Sequence, residues 1–132
     1  MVKVPTKTFI DSISAKKVYY FSSSSIKTSI SHYFICISRT SDGLLFMSCC
    51  TSRFDTVRKF VESRSLPFET LVYISPTDEN NPFEIDTYVN CNDLQEFTIE
   101  EFRTMYEINA LDYAGEISEN HYEQIFVYSV SN

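Results

Sequence analysis

The sequence predicts an α+β domain: a small, mostly antiparallel sheet of about five short strands, curled or barrel-like, with two or three short helices attached. Three observations carry that reading. Apolar, β-rich runs are short and bounded by turn residues, an Asp-Gly step joins two of them, and two later stretches space their apolar residues as helices do. The chain of 132 residues is 43% hydrophobic and holds eleven Phe and nine Tyr, enough for one core, so residues 1–132 are read as a single domain. The same composition excludes a disordered or collagen-like chain.

The elements follow in order. Val18 to Phe21 is β-rich and leads into Ser22 to Ser25, a polar loop. Tyr33 to Ile37 and Leu44 to Cys50 are continuous apolar runs joined by Arg39-Thr40-Ser41-Asp42-Gly43. They read as a hairpin buried on both faces, its glycine supplying the positive φ of a tight reversal. Phe54, Val57, Phe60 and Val61 then recur at helical spacing, with Arg58, Lys59 and Glu62 on the other side, and the pattern stops before Pro67. Leu71 to Ile74 reads as a strand, Pro76 to Pro82 as an acidic loop, and Thr87 to Asn92 as another strand. Thr98 and Glu101 form a capping box ahead of Ile99, Phe102, Met105 and Tyr106, the stripe of a second helix with an acidic outer face. The last segment is ambiguous. Ser118 would cap a helix burying Tyr122, Ile125, Phe126 and Ser129 or Val130, whereas Phe126, Tyr128 and Val130 alternate like a strand; length and the polarity of Glu119 to Gln124 favour helix.

The net charge of -7 hides a split. Residues 1–64 carry ten Lys and Arg against four acids, and residues 65–132 carry one Arg against fourteen. A uniformly acidic protein repels nucleic acid, but a fold that gathers its basic half on one face can still hold a short anionic strand. The plainer reading is that the halves neutralise each other across the fold. Cys36, Cys49, Cys50 and Cys91 show neither a C-x-x-C pair nor a His at zinc-ligand spacing, so free buried thiols in a reducing compartment are expected. No metal ligand or cofactor is expected. Without a spanning apolar segment or a secretory apolar region, the chain reads as cytoplasmic and not membrane-bound.

Chemistry is expected at one place. The strand ending at Cys50 runs into Thr51-Ser52-Arg53 and then into the first helix, a junction that aims free N–H groups, two hydroxyls and a guanidinium at one spot and suits an anion. On the plainer reading Ser52 only caps the helix and Arg53 is a solvated first-turn residue. Its charge is unfavourable at a helix N-terminus, which speaks for a negative group nearby.

His32-Tyr33-Phe34-Ile35-Cys36-Ile37, the turn, and Leu44 to Cys50 followed by Thr51-Ser52-Arg53 resemble the MazF/PemK/Kid family of plasmid-maintenance toxins. Asp86 to Phe102 resembles that family's last strand and the capped helix after it, so the likeness spans about residues 30–106. It implies a small SH3-like barrel, usually a homodimer, that cleaves single-stranded RNA without metal and is blocked by a cognate antitoxin. In the implied reaction the ribose 2′-hydroxyl attacks the adjacent phosphorus while protein groups stabilise the crowded phosphate. The family's strand-end hydroxyl maps to Thr51, with Ser52 and Arg53 beside it.

Two family cations are absent. Ser31 and His32 stand where the family has Arg-Pro, and Gln95 stands in the link where it has Arg. The expected catalytic set is therefore His32, Thr51 and Arg53, with His32 for proton transfer, a task an imidazole suits near neutrality. Ser52 and Arg39 are the expected substrate-binding residues, with Lys27 another source of charge. Two functions follow: a toxin-like endoribonuclease, or a barrel-type module that binds a protein partner through its acidic half without catalysis.

Overall fold

The computed structural model describes residues 3–22, 31–78 and 80–130. Six strands, Lys17–Phe21 (β1), His32–Arg39 (β2), Leu44–Thr51 (β3), Leu71–Ile74 (β4), Thr87–Thr98 (β5) and Asp112–Glu116 (β6), form one antiparallel sheet in the order β4-β5-β3-β2-β1-β6. Four helices accompany it: Thr6–Ser12 (α1), Phe54–Ser63 (α2), Ile99–Glu107 (α3) and Glu119–Val130 (α4). The expected α+β class and antiparallel sheet stand. The sheet is open, however, because β4 and β6 are its two edges and are not paired with each other.

Both faces of the sheet are buried, as the continuous apolar runs of the hairpin require. Phe34 and Cys36 of β2 point into one core with Tyr19, Phe21, Leu45, Met47, Phe97, Phe102 and Tyr106; Ile35 and Ile37 point into the other with Val18, Val72, Ile74, Val89, Cys91 and Ile125. Helices α1 and α3 cover the first core, and α4 covers the second. The first is built from interlocked rings: Phe21 stacks on Phe34 at 4.3 Å and meets Phe97 and Phe102 edge-on at 5.3 Å.

The sheet changes direction in β5. Ser48 faces Leu94 but Cys50 faces Val89, so residues 90–93 bulge out of the β3 ladder. The slip is odd, and an odd slip flips which face a side chain takes. Val89 and Cys91 therefore belong to one core and Phe97, on the same strand, to the other.

Local signals form as read. Gly43, at φ +90°, closes the β2–β3 turn, and Thr40 N–H donates to the Leu44 carbonyl at 2.9 Å. Thr98 and Glu101 make a complete capping box for α3. The final segment is helical, with Ser118 Oγ accepting from His121 N–H at its start and Ile125 and Ser129 buried. The Val130 side chain, Ser23 to Ser25 and Lys27 lie outside the described residues.

Three elements differ from expectation. β5 runs on to Thr98 through what reads as a polar link, while α1 and β6 arise where no element is expected. Tertiary contacts hold all three: Phe9 of α1 stacks on Tyr106 at 4.0 Å, β6 pairs with β1, and the polar half of β5 pairs with β3. Phe126, expected inside, is 38% exposed.

Candidate functional site

Antiparallel pairing brings the ends of β1 and β3 and the starts of β2 and β5 to one end of the sheet. A cleft of about 560 Å³ opens there, lined by Tyr20, Ser31, His32, Tyr33, Cys50, Thr51, Ser52, Arg53, Thr56, Phe83, Glu84, Ile85 and Thr87. Four of the five expected site residues, His32, Thr51, Ser52 and Arg53, thus share one cavity. Each arrives by a different route: His32 opens β2 opposite Phe21, Thr51 ends β3 opposite Tyr88, and Ser52 and Arg53 form the step into α2.

The junction is held by its own hydrogen bond. Arg53 N–H donates to Thr51 Oγ1 at 3.0 Å. A hydroxyl that accepts one bond keeps its hydrogen to donate, so Thr51 retains a donor for a ligand oxygen. Ser52 does not cap α2: Arg53 takes the N-cap position and no side chain bonds the first-turn amides. The plain capping reading is thereby corrected. The helix begins at Phe54, one residue later than a Ser52 cap requires. Ser52 and Arg53 are exposed, and Arg53 makes no ion pair among the described residues.

Arg39 is not brought to the cleft. It ends β2 at the opposite end of the sheet, where its Nη1 donates to the carbonyls of Ile10 at 2.6 Å and Ile13 at 3.0 Å, closing the C-terminal end of α1. The expected substrate-binding role of Arg39 is therefore dropped. Gln95, opposite Met47 in the β3–β5 ladder, is also absent from the cleft lining.

Several lining residues carry no local sequence signal. Tyr20 and Tyr33 contact at 4.7 Å between ring centroids, and Phe83 meets Tyr33 edge-on at 5.3 Å, giving the cleft an aromatic side. Glu84, exposed on the loop before β5, is the carboxylate among the described lining residues. Ile85, 61% exposed, stands at the rim. The thiols are not ionised: burial pushes Cys36 up to about 12 and Cys91 up to about 11, and holds Cys50, which lines the cleft, well above its usual value, so all three are neutral thiols near pH 7. Among the described residues one ion pair, Lys16–Glu119 at 3.0 Å, joins the basic half to the acidic half; the other Lys and Arg pairs are local, at i+3 or i+4.

The fold is shared with a known ribonuclease structure. The chain is similar to a solved structure described as an endoribonuclease in complex with its cognate antitoxin from a mycobacterial species, at TM-score 0.56 and 14% identity, covering 91% of this chain and 96% of that one. At that identity the likeness shows the fold alone. No protein-family model and no curated protein matches the sequence. No described helix is long and apolar enough to cross a membrane.

Proposed function

We propose that the chain is a toxin-like endoribonuclease that cleaves single-stranded RNA without a metal, in the cleft at the end of β3. One observation supports this above the rest: His32, Thr51, Ser52 and Arg53, three of them adjacent in sequence and one from another strand, line the same open cavity. Aromatic rings beside a guanidinium and hydroxyls suit an unpaired nucleotide, whose base needs a π surface and whose phosphate needs donors.

In the proposed reaction the 2′-oxygen bonds to the adjacent phosphorus and the bond to the 5′-oxygen breaks. The 2′-hydroxyl proton passes to the His32 imidazole, and solvent protonates the departing 5′-oxygen. The products are a 2′,3′-cyclic phosphate and a 5′-hydroxyl. Arg53 and the Thr51 hydroxyl stabilise the charge that gathers on the non-bridging oxygens, a contribution worth about 3 kcal/mol for each well-aimed donor. The remainder of the resemblance belongs to the same proposal: a homodimer, a cytoplasmic location and inhibition by a cognate antitoxin.

A second reading, a protein-binding module without catalysis, is favoured by one feature. Among the described residues, Arg53 is the only Lys or Arg lining the cleft and Glu84 opposes it. An NMR titration separates the two readings. Under low salt, an uncleavable 2′-O-methyl oligonucleotide is expected to shift the amide signals of Thr51, Ser52 and Arg53, with the shifts lost in Arg53→Ala. Silent amides there would leave the binding-module reading.

A further inference from the structure

We propose that the aromatic row Phe54, Tyr88 and Tyr73, exposed at its two ends and half-buried at Tyr88, is a base-stacking subsite for the part of a single-stranded RNA that leaves the cleft toward the β4 edge of the sheet. This rests on reading the cleft as an RNA site, and it adds a second contact zone that makes longer substrates bind more tightly.

Strand register builds the row. Thr51 of β3 faces Tyr88 of β5, and Tyr88 faces Tyr73 of β4, so the three side chains share one face and cross the sheet from the cleft to its edge. Phe54, the first residue of α2, lies against Tyr88 at 5.0 Å between centroids, and Tyr88 lies 5.3 Å from Tyr73. Phe54 is 39% and Tyr73 47% exposed, in contrast to the sealed rings of Phe21, Phe34 and Phe102. The row adjoins the cleft: Thr51, which faces Tyr88, and Arg53 and Thr87, which precede Phe54 and Tyr88 in the chain, all line the cavity, so one strand of nucleic acid can reach both.

Charge favours an anionic occupant. Residues 53–59 carry Arg53, Arg58 and Lys59 against Asp55. Arg53 and Lys59 make no ion pair among the described residues. The Arg58 guanidinium lies 5.7 Å from the Phe54 ring centre. Of the nearby carboxylates, Asp55 and Glu62 pair with Arg58 at 3.7 and 3.8 Å, while Asp86 accepts from the Tyr73 hydroxyl at 2.8 Å and keeps its charge, set against the two cations Arg53 and Lys59. Rings with adjacent cations are how single-stranded nucleic acid is held without base readout. The competing occupant is a peptide strand added to the open edge of β4, but that edge offers a ladder of only Leu71–Ile74.

The test is fluorescence anisotropy with uncleavable 2′-O-methyl oligoribonucleotides of about three and about eight nucleotides. Wild type is expected to bind the longer at least about tenfold more tightly, and Tyr73→Ala to weaken only the longer, by about fivefold or more. Tyr73→Phe, which keeps the ring and loses the bond to Asp86, is expected to bind like wild type. 2-Aminopurine in the longer oligomer should be quenched by stacking in wild type and released in Tyr73→Ala. Equal affinity of the two oligomers, or a longer one indifferent to Tyr73→Ala, overturns the row while leaving the cleft intact. If neither oligomer binds wild type, the cleft reading falls as well. A wild-type dimer that Tyr73→Ala dissolves without touching RNA affinity would make the row an interface between copies, and would also overturn the proposal.

Discussion

The Thr51 hydroxyl accepts the backbone N–H of Arg53 at 3.0 Å, so a single oxygen fixes the step between β3 and α2. The bond sets where the Arg53 side chain departs and leaves the hydroxyl hydrogen for a ligand. Thr51→Ser keeps both functions and is expected to retain activity. Thr51→Val removes both and is expected to lower the cleavage rate by about 100-fold. Its stability should fall by no more than about 1 kcal/mol, because the bond is exposed. Single-turnover rates read beside urea midpoints separate the two effects.

The capping box of α3 gives a purely structural prediction. Thr98 Oγ1 accepts from Glu101 N–H at 3.0 Å and Glu101 Oε1 accepts from Thr98 N–H at 3.1 Å. Thr98→Ala is expected to cost about 1 kcal/mol in chemical denaturation. RNA binding in the cleft should be unchanged, because Thr98 pairs with Leu44, at the end of β3 away from Thr51.

Ser48 predicts the opposite sign. Its side chain is fully buried on β3 opposite Ile35, and its hydroxyl has no hydrogen-bond partner among the described residues. Ser48→Ala removes that uncompensated group and is expected to stabilise the fold by about 1 kcal/mol, read as a higher urea midpoint at unchanged slope.

Alkaline pH should weaken the fold through its thiols. Burial pushes Cys36 and Cys49 up to about 12 and Cys91 up to about 11, and raises Cys50 well above its usual value. In the unfolded chain these thiols ionise near about 8.5. The unfolded state therefore releases protons first as pH rises. Their contribution to stability is complete below about pH 8.5 and is lost as pH climbs toward about 11 to 12. The urea midpoint should hold steady between about pH 6.5 and 8 and fall from about pH 9 upward; a flat or rising midpoint there would contradict the burial of the thiols.

Local chemistry is what the sequence makes legible. Asp42-Gly43 between two apolar runs specifies the β2–β3 hairpin, and Thr98 with Glu101 specifies the start of α3, because each signal is complete within a few residues. β6 is illegible for the converse reason: Asp112 to Glu116 is an edge strand with no buried residue, created by its pairing with β1. α1 is only seven residues long and depends on Phe9 meeting Tyr106 across the whole chain. The site divides the same way. Thr51, Ser52 and Arg53 are contiguous and readable, whereas Tyr20, Phe83, Glu84 and Ile85 reach the cleft only through the fold. Arg39 is misread because its partners are the carbonyls of that unseen helix.

The central claim is that this cleft cleaves RNA unaided by metal, and the most direct measurement is an end analysis of labelled single-stranded RNA incubated with the protein in excess EDTA. The account predicts fragments with 2′,3′-cyclic phosphate and 5′-hydroxyl ends, reduced about 100-fold or more by Arg53→Ala and also reduced by His32→Ala. Intact RNA under those conditions, or cleavage unaffected by both substitutions, would contradict it.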